Sequence, residues 1–195
     1  MKVNKKYNCL FIGNAIVDVV SEVSFDFLEK QKIEVGSWRP VSINEINELQ
    51  EEMSNTIIAS GGSAANSAVG FSLLGGRSAF IGRVKSDDFG SLYINDLKEA
   101  NVDFISNPVD TGNETGRCLV YVSPDAQRSM RTYLGAASNL SPENLDINAF
   151  ENSEIVYMEG YLWDEPVAKE AYKKAFDLSK KLEIKSALSL SDKFC

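Results

Sequence analysis

The chain has 195 residues, of which 44% are hydrophobic and 25% charged, and it carries a net charge of −8. This is a globular composition with enough length to bury a core, and its acidity argues against nucleic acid or an anionic membrane surface as the main partner, while leaving room for a local basic pocket. Histidine is absent, which excludes Ser-His-Asp and Cys-His hydrolases and histidine-ligated metal centres within these residues.

No apolar run reaches membrane length. Lys2, Lys5 and Lys6 precede Cys9-Leu10-Phe11-Ile12, but that run stops at Gly13 and is too short for a signal-peptide core. Cys9, Cys118 and Cys195 are widely spaced and odd in number, the pattern of reduced thiols in a cytoplasmic protein.

Cys9–Ile12 predicts a short buried strand ending at Gly13. Asn14 and Asp18 follow where that strand gives out, the place where open α/β sheets bind ligands. Asp18 is either a ligand carboxylate or a turn residue bonded locally. Val17–Val23 alternates as a partly exposed strand would. Ser42-Ile43-Asn44-Glu45 reads as a capping box, with Ile46, Leu49 and Met53 on one helical face.

Ile57-Ile58-Ala59 leads into Ser60-Gly61-Gly62-Ser63-Ala64-Ala65-Asn66. The paired glycines let another molecule approach the backbone. Ser63 is the expected helix cap, and Asn66 falls in the first turn with a donor and an acceptor to offer. The stretch is either a ligand cradle or a plain glycine turn before a buried helix. Ala68, Phe71 and Leu74 form the expected apolar stripe, stopped by Gly75-Gly76.

Ser78–Gly82 predicts the next buried strand. Ser86-Asp87-Asp88 opens a helix with Phe89, Leu92, Tyr93 and Leu97 inward and Asn101 as a left-handed stop, before a short strand at Val102–Ile105. Arg117–Val122 and Ser129–Leu134 flank Ser123-Pro124-Asp125-Ala126-Gln127 as a hairpin, either a flap over a site or a plain edge; Arg128 and Arg131 have no assigned face. Ile155–Gly160 is a buried strand with Glu159 at its carboxyl end. Pro166 opens a helix whose inner face is Val167, Ala171, Ala175, Leu178 and Leu182, and Lys185–Leu190 is the last strand. Strands alternating with helices imply a mostly parallel sheet covered on both faces, with roughly five strand–helix units.

Three stretches then line up. Gly61–Ala68, Gly75 and Phe80-Ile81-Gly82-Arg83-Val84, continued by Asp87-Asp88-Phe89-Gly90, closely resemble the N-terminal signature of the ribokinase-like (PfkB) carbohydrate kinases. Lys85 stands where that signature carries glycine. Gly13-Asn14-Ala15-Ile16-Val17-Asp18, Thr115–Cys118, Gly135-Ala136-Ala137 and Ser189–Phe194 are similar to segments of adenosine kinases and their bacterial relatives, as is Gly-Gly-Ser before Asn66.

The resemblance implies a ribokinase-like, Rossmann-like α/β fold with a small β lid, formed by segments at about 16–41 and 106–136 within one domain spanning 1–195. It implies that Asp18 holds two sugar hydroxyls, that Gly61, Gly62 and Ser63 let backbone reach the sugar, that Asn66 and Asn14 complete the floor, and that Glu159 lies near substrate and metal–phosphate. ATP and Mg2+ are the implied cofactors, and a nucleoside or sugar the implied partner, with a homodimer through the lid as a further expectation. The family's Gly-Ala-Gly-Asp motif, whose Asp is the catalytic base, does not occur in these residues. The expected function is therefore that of the N-terminal part of an ATP-dependent kinase, inactive alone. The alternative is a non-catalytic sugar- or nucleoside-binding module. A dinucleotide-dependent oxidoreductase lacks its G-x-G-x-x-G pattern here.

Overall fold

The computed structural model of the protein describes residues 5–193 and Cys195; Lys2 and Phe194, both named above, lie outside the described residues. The main sheet is parallel throughout, in the order β10-β9-β1-β5-β6. Its strands are β1 (Tyr7–Ile12), β5 (Ser78–Ile81), β6 (Val102–Phe104), β9 (Ser153–Glu159) and β10 (Lys185–Ser189). β1 is central because every residue from Cys9 to Ile12 is buried. Successive side chains leave opposite faces of a strand. Leu10 and Ile12 therefore join Val156, Met158, Phe150 and Tyr172 on one side, and Cys9 and Phe11 join Ala64, Ala68, Phe80, Tyr93 and Leu97 on the other. The first side is covered by α5 (Ile147–Glu151) and α6 (Pro166–Lys181), the second by α3 (Ser63–Leu73) and α4 (Asp88–Glu99).

The chain adds β5 and β6 on one side of β1, then β9 and β10 on the other. The crevice beyond the carboxyl end of β1 is thus a topological switch point, the usual ligand position in an open α/β sheet. β10 lies at the sheet edge, and its residues Lys185–Leu188 are exposed.

A second sheet stands apart, in the order β3-β8-β7-β2-β4. It contains β2 (Ile16–Glu22), β3 (Trp38–Pro40), β4 (Ile57–Gly61), β7 (Gly116–Val122) and β8 (Arg128–Tyr133). The expected hairpin is the antiparallel β7–β8 pair. β4 falls outside both segments anticipated for a lid, since Ile57 is 71% exposed and the run lacks the alternation of a half-buried strand. β2 is less exposed than anticipated because it lies between β7 and β4. One face packs Val19, Leu119 and Tyr121 on α1 (Phe25–Lys30) and α2 (Ile43–Glu51). The other face carries Ile16, Val20, Cys118, Val120 and Met130.

Local signals were read correctly where the chain closes on itself. Gly75 has φ 90°, and the Gly75 and Gly76 N–H groups donate back to the Ser72 and Phe71 carbonyls, the paired hydrogen bonds of a glycine helix stop. Asp87 caps α4, and Asn101 takes φ 58° after it. Lys85 needs no positive φ, so a side chain is accommodated there, and its N–H is held by Thr115 Oγ1 at 3.0 Å.

Four expectations are corrected. Ser63 is not the cap of α3: Gly62 occupies that position and Ser63 is already helical. Leu74 is 91% exposed, because α3 has turned its stripe to Ala64, Ala65 and Ala68 before the helix ends. Ser42 accepts from Glu45 N, but the Glu45 carboxylate pairs with Arg39 instead of closing the capping box. The inner face of α6 is rotated by about one position: Ala168, Tyr172 and Ser179 join Ala171 and Ala175, while Val167 is exposed.

The Tyr172 hydroxyl donates to the Ile12 carbonyl at 3.2 Å, tying α6 to the end of β1. Tyr172→Phe leaves that carbonyl without its buried donor, and urea unfolding is expected to show a loss of about 1–2 kcal/mol.

Candidate functional site

Three chain segments meet at the switch point: the β1–β2 link at Gly13-Asn14-Ala15, the β4–α3 turn at Gly61-Gly62, and the end of β9 at Glu159. Glu159 is fully buried. Its Oε1 accepts the Asn14 N–H at 2.6 Å, and its Oε2 accepts the Ala64 N–H at 2.8 Å and the Ser63 hydroxyl. Gly62 has no side chain with which to cap α3. Glu159 does that work from another strand, with its charge at the positive end of the helix. Burial pushes the Glu159 carboxyl up, against the pull of the donors from Asn14, Ser63 and Ala64.

Asp18 sits on the open face of the second sheet, paired across the ladder with Cys118 and with Ala59. A Cβ on Gly61 would collide with the Asp18 carboxyl group, so glycine is what allows the carboxylate to lie over the backbone of the turn. Gly62 takes φ 91°, and a Cβ there would strike the Asn14 carbonyl oxygen. The Asp18 pKa is pushed up to about 6 by burial, offset in part by Arg128; no protein hydrogen bond contributes. Arg128 and Arg131 lie on opposite faces. Arg128 shares the face of Asp18 and is exposed, whereas Arg131 is buried and donates to the Ser37 hydroxyl and the Met130 carbonyl.

Asn14 is 4% exposed, and its Oδ1 is buried without a hydrogen-bond partner. Two acceptors therefore flank the glycine turn with no donor among the described residues: the Asp18 carboxylate and Asn14 Oδ1. Asn14, Ser63 and Glu159 form one hydrogen-bonded group, and Asp18, Gly61 and Gly62 meet it through the turn. Asn66 stands apart: its N–H closes the first turn of α3 onto Gly62 O, and the residue is exposed.

Some residues that shape the site carried no local signal. Asp96 of α4 accepts the Ser60 N–H at 2.6 Å, immediately before the glycines. Asp87 accepts from Thr115 N and Oγ1 at 2.9 and 2.6 Å. Arg117 donates to Asn47 and Gln50 of α2 and lies 5.0 Å over the Phe89 ring. These partners are far apart in the chain, so spacing does not reveal them. The cues were the Asp87–Gly90 and Thr115–Cys118 blocks, which carry the resemblance without showing the contact between them.

Residues 28–194 match the pfkB family carbohydrate kinase. The chain belongs to that family. It is similar to the adenosine kinase of Sinorhizobium meliloti at 39% identity and a TM-score of 0.90, covering 97% of this chain and 58% of that one. It is similar to a probable sugar kinase of Rhizobium etli at 34% identity and a TM-score of 0.90, covering 98% and 58%. Among curated relatives, probable fructokinase-4 of Arabidopsis thaliana is 29% identical over 64% of this chain and 39% of its own length. The chain thus spans well under two thirds of the relatives it matches. The α/β fold with its mostly parallel, helix-flanked sheet is theirs.

Two outcomes follow from the geometry. Glu159→Gln turns an amide N–H₂ toward a donor, and urea unfolding should show about 2–4 kcal/mol of lost stability, more than for an exposed glutamate. For Asp18 the sign runs the other way. Its folded pKa is near 6 against an ordinary 3.8. The neutral form is therefore favoured in the fold, and stability is lost as pH rises through the folded value. Asp18→Asn should match the parent below roughly pH 4 and exceed it above roughly pH 6, read from urea midpoints across that range.

Proposed function

We propose that this chain is the acceptor-binding portion of an ATP-dependent phosphotransferase whose substrate is a nucleoside, adenosine-like, or a sugar, phosphorylated on its hydroxymethyl group. The observation that carries the reading is the Asp18 carboxylate laid against Gly61 with no protein donor. A carboxylate offers two acceptor oxygens, which suits a vicinal diol, and charge-assisted bonds of this kind are the strong ones. Asn14 Oδ1 supplies a further buried acceptor beside the same turn. Asn66 is proposed to reach the ligand from the first turn of α3. Glu159 is proposed to act through the floor it holds together, since its oxygens are already engaged by Asn14, Ser63 and Ala64. The nucleoside preference rests on 39% identity to the S. meliloti adenosine kinase.

The second sheet is proposed to be the lid, with β4 added to the segments at 16–41 and 106–136. Closure of this sheet over a ligand held at Asp18 excludes water and so protects the phosphoryl donor from hydrolysis. The lid is also the proposed route to a homodimer. Among the described residues no cluster of His, Cys, Asp and Glu could hold a metal ion. The Gly-Ala-Gly-Asp motif does not occur in these residues, and phosphate handling is proposed to need residues other than these. No helix among the described residues is long and apolar enough to cross a membrane. The free Cys9, Cys118 and Cys195 suit a cytoplasmic setting.

The test is a panel of adenosine, ribose and fructose with ATP and Mg2+. The 195-residue chain should give no phosphorylation above a no-protein control. Extended to the length of its relatives, the protein should phosphorylate adenosine, and Asp18→Ala should lower kcat/KM at least roughly tenfold. Turnover by the 195-residue chain, or unchanged kinetics in the Asp18 variant, would refute the reading.

A further inference from the structure

Two adjacent glycines give the β4–α3 turn more freedom than any other residue pair would, and that freedom must be restrained for Asp18 to keep its seat. β4 is an edge strand of the second sheet, paired on one side with β2. Its outward N–H at Ser60 is taken by Asp96 at 2.6 Å. Asp96 belongs to α4, and α4 is fixed to the main sheet by Tyr93 and Leu97, both fully buried. The Tyr93 ring packs on Phe80 and Phe104 at centroid distances of 6.1 and 5.9 Å. The other end of α4 holds the start of β7 through Asp87 and Thr115. One helix of the body thus moors both strands that enter the glycine and lid region.

We propose that Asp96 is a positioning residue, which through the Ser60 N–H holds the Gly61-Gly62 turn beneath the Asp18 carboxylate. The inference rests on the reading of Asp18 and the glycine turn as the acceptor site, and it adds the group that sets their separation. Ser60 is the residue before Gly61, so a shift of β4 passes directly to the backbone against which Asp18 is buried. Asp96 touches neither reacting atom nor ligand; it acts through Ser60 alone.

The Asp18 titration reports the seat without any substrate. Arg128 from β8 opposes the rise in the Asp18 pKa, and Asp18 in turn pushes up Cys118 of β7 and Tyr93 of α4, while its β4 neighbours Ala59 and Gly61 carry no charge. NMR titration and amide exchange on the 195-residue chain make the test. In Asp96→Ala the Ser60 amide should exchange at least roughly tenfold faster, and Asp18 should titrate about one unit or more lower as water reaches it. Asp96→Asn keeps an acceptor and should restore most of both. Ser60→Pro removes the donor at an outward edge position, where proline is tolerated, and should lower the Asp18 pKa in the same way; it carries the test if Asp96→Ala does not fold. An Asp18 pKa unchanged from the parent chain's in the folded Asp96→Ala or Ser60→Pro chain overturns the proposal, even if the melting temperature falls. A substrate panel without an acceptor would overturn the functional reading and leave these titrations unaffected.

Discussion

The buried carboxylate of Glu159 is the interaction on which the rest of the site depends. Burial of a charge is costly unless donors surround it. Here the donors are backbone N–H groups of Asn14 and Ala64 and the Ser63 hydroxyl. Each comes from an element that must otherwise leave a donor unsatisfied: a loop just past β1, and a helix whose cap position is glycine. A single side chain therefore joins β9, the β1–β2 link and α3. It also explains why the turn can spend its cap position on Gly62, whose φ of 91° brings the backbone against Asn14.

With that floor held, the free acceptors gain meaning. Asn14 is pinned through its N–H and left with an unpaired Oδ1. Asp18 lies against Gly61 and is left without a donor. Donors surround the Glu159 carboxylate, while the Asp18 carboxylate, the proposed ligand group, is left open. Two carboxyl groups in one crevice, both with pKa values raised by burial, differ in role because one is enclosed by donors and the other is not.

Much of the fold was legible because its signals are local. Cys9–Ile12 is a short apolar run bounded by glycine and became the central strand. Asp87, Gly75 and Asn101 mark helix ends by side-chain or backbone chemistry within a few residues. The hairpin was legible from its turn residues. What failed was whatever a distant partner decided. Ser63 looked like a cap until Glu159 took over capping from β9, and Glu45 looked like half of a capping box until Arg39 claimed its carboxylate. Val167 looked inward by spacing, but the sheet face selected Ala168 and Tyr172. β4 had no readable alternation because its hydrogen-bonding partner, β2, and not a buried face, holds it in place.

Residue by residue, then, the sequence determined the alternation of strands and helices, the candidate residues Asn14, Asp18, Gly61 and Glu159 that meet around one turn, and the acceptor chemistry available to them. Those properties follow from side-chain identity and short-range backbone preference. Only the tertiary structure decided which carboxylate is enclosed by donors and which is left open, that β4 joins the second sheet, and that α4 moors it through Asp96 and Asp87. These are contacts between segments far apart in the chain, and their hydrogen bonds form only after the two sheets have been brought together.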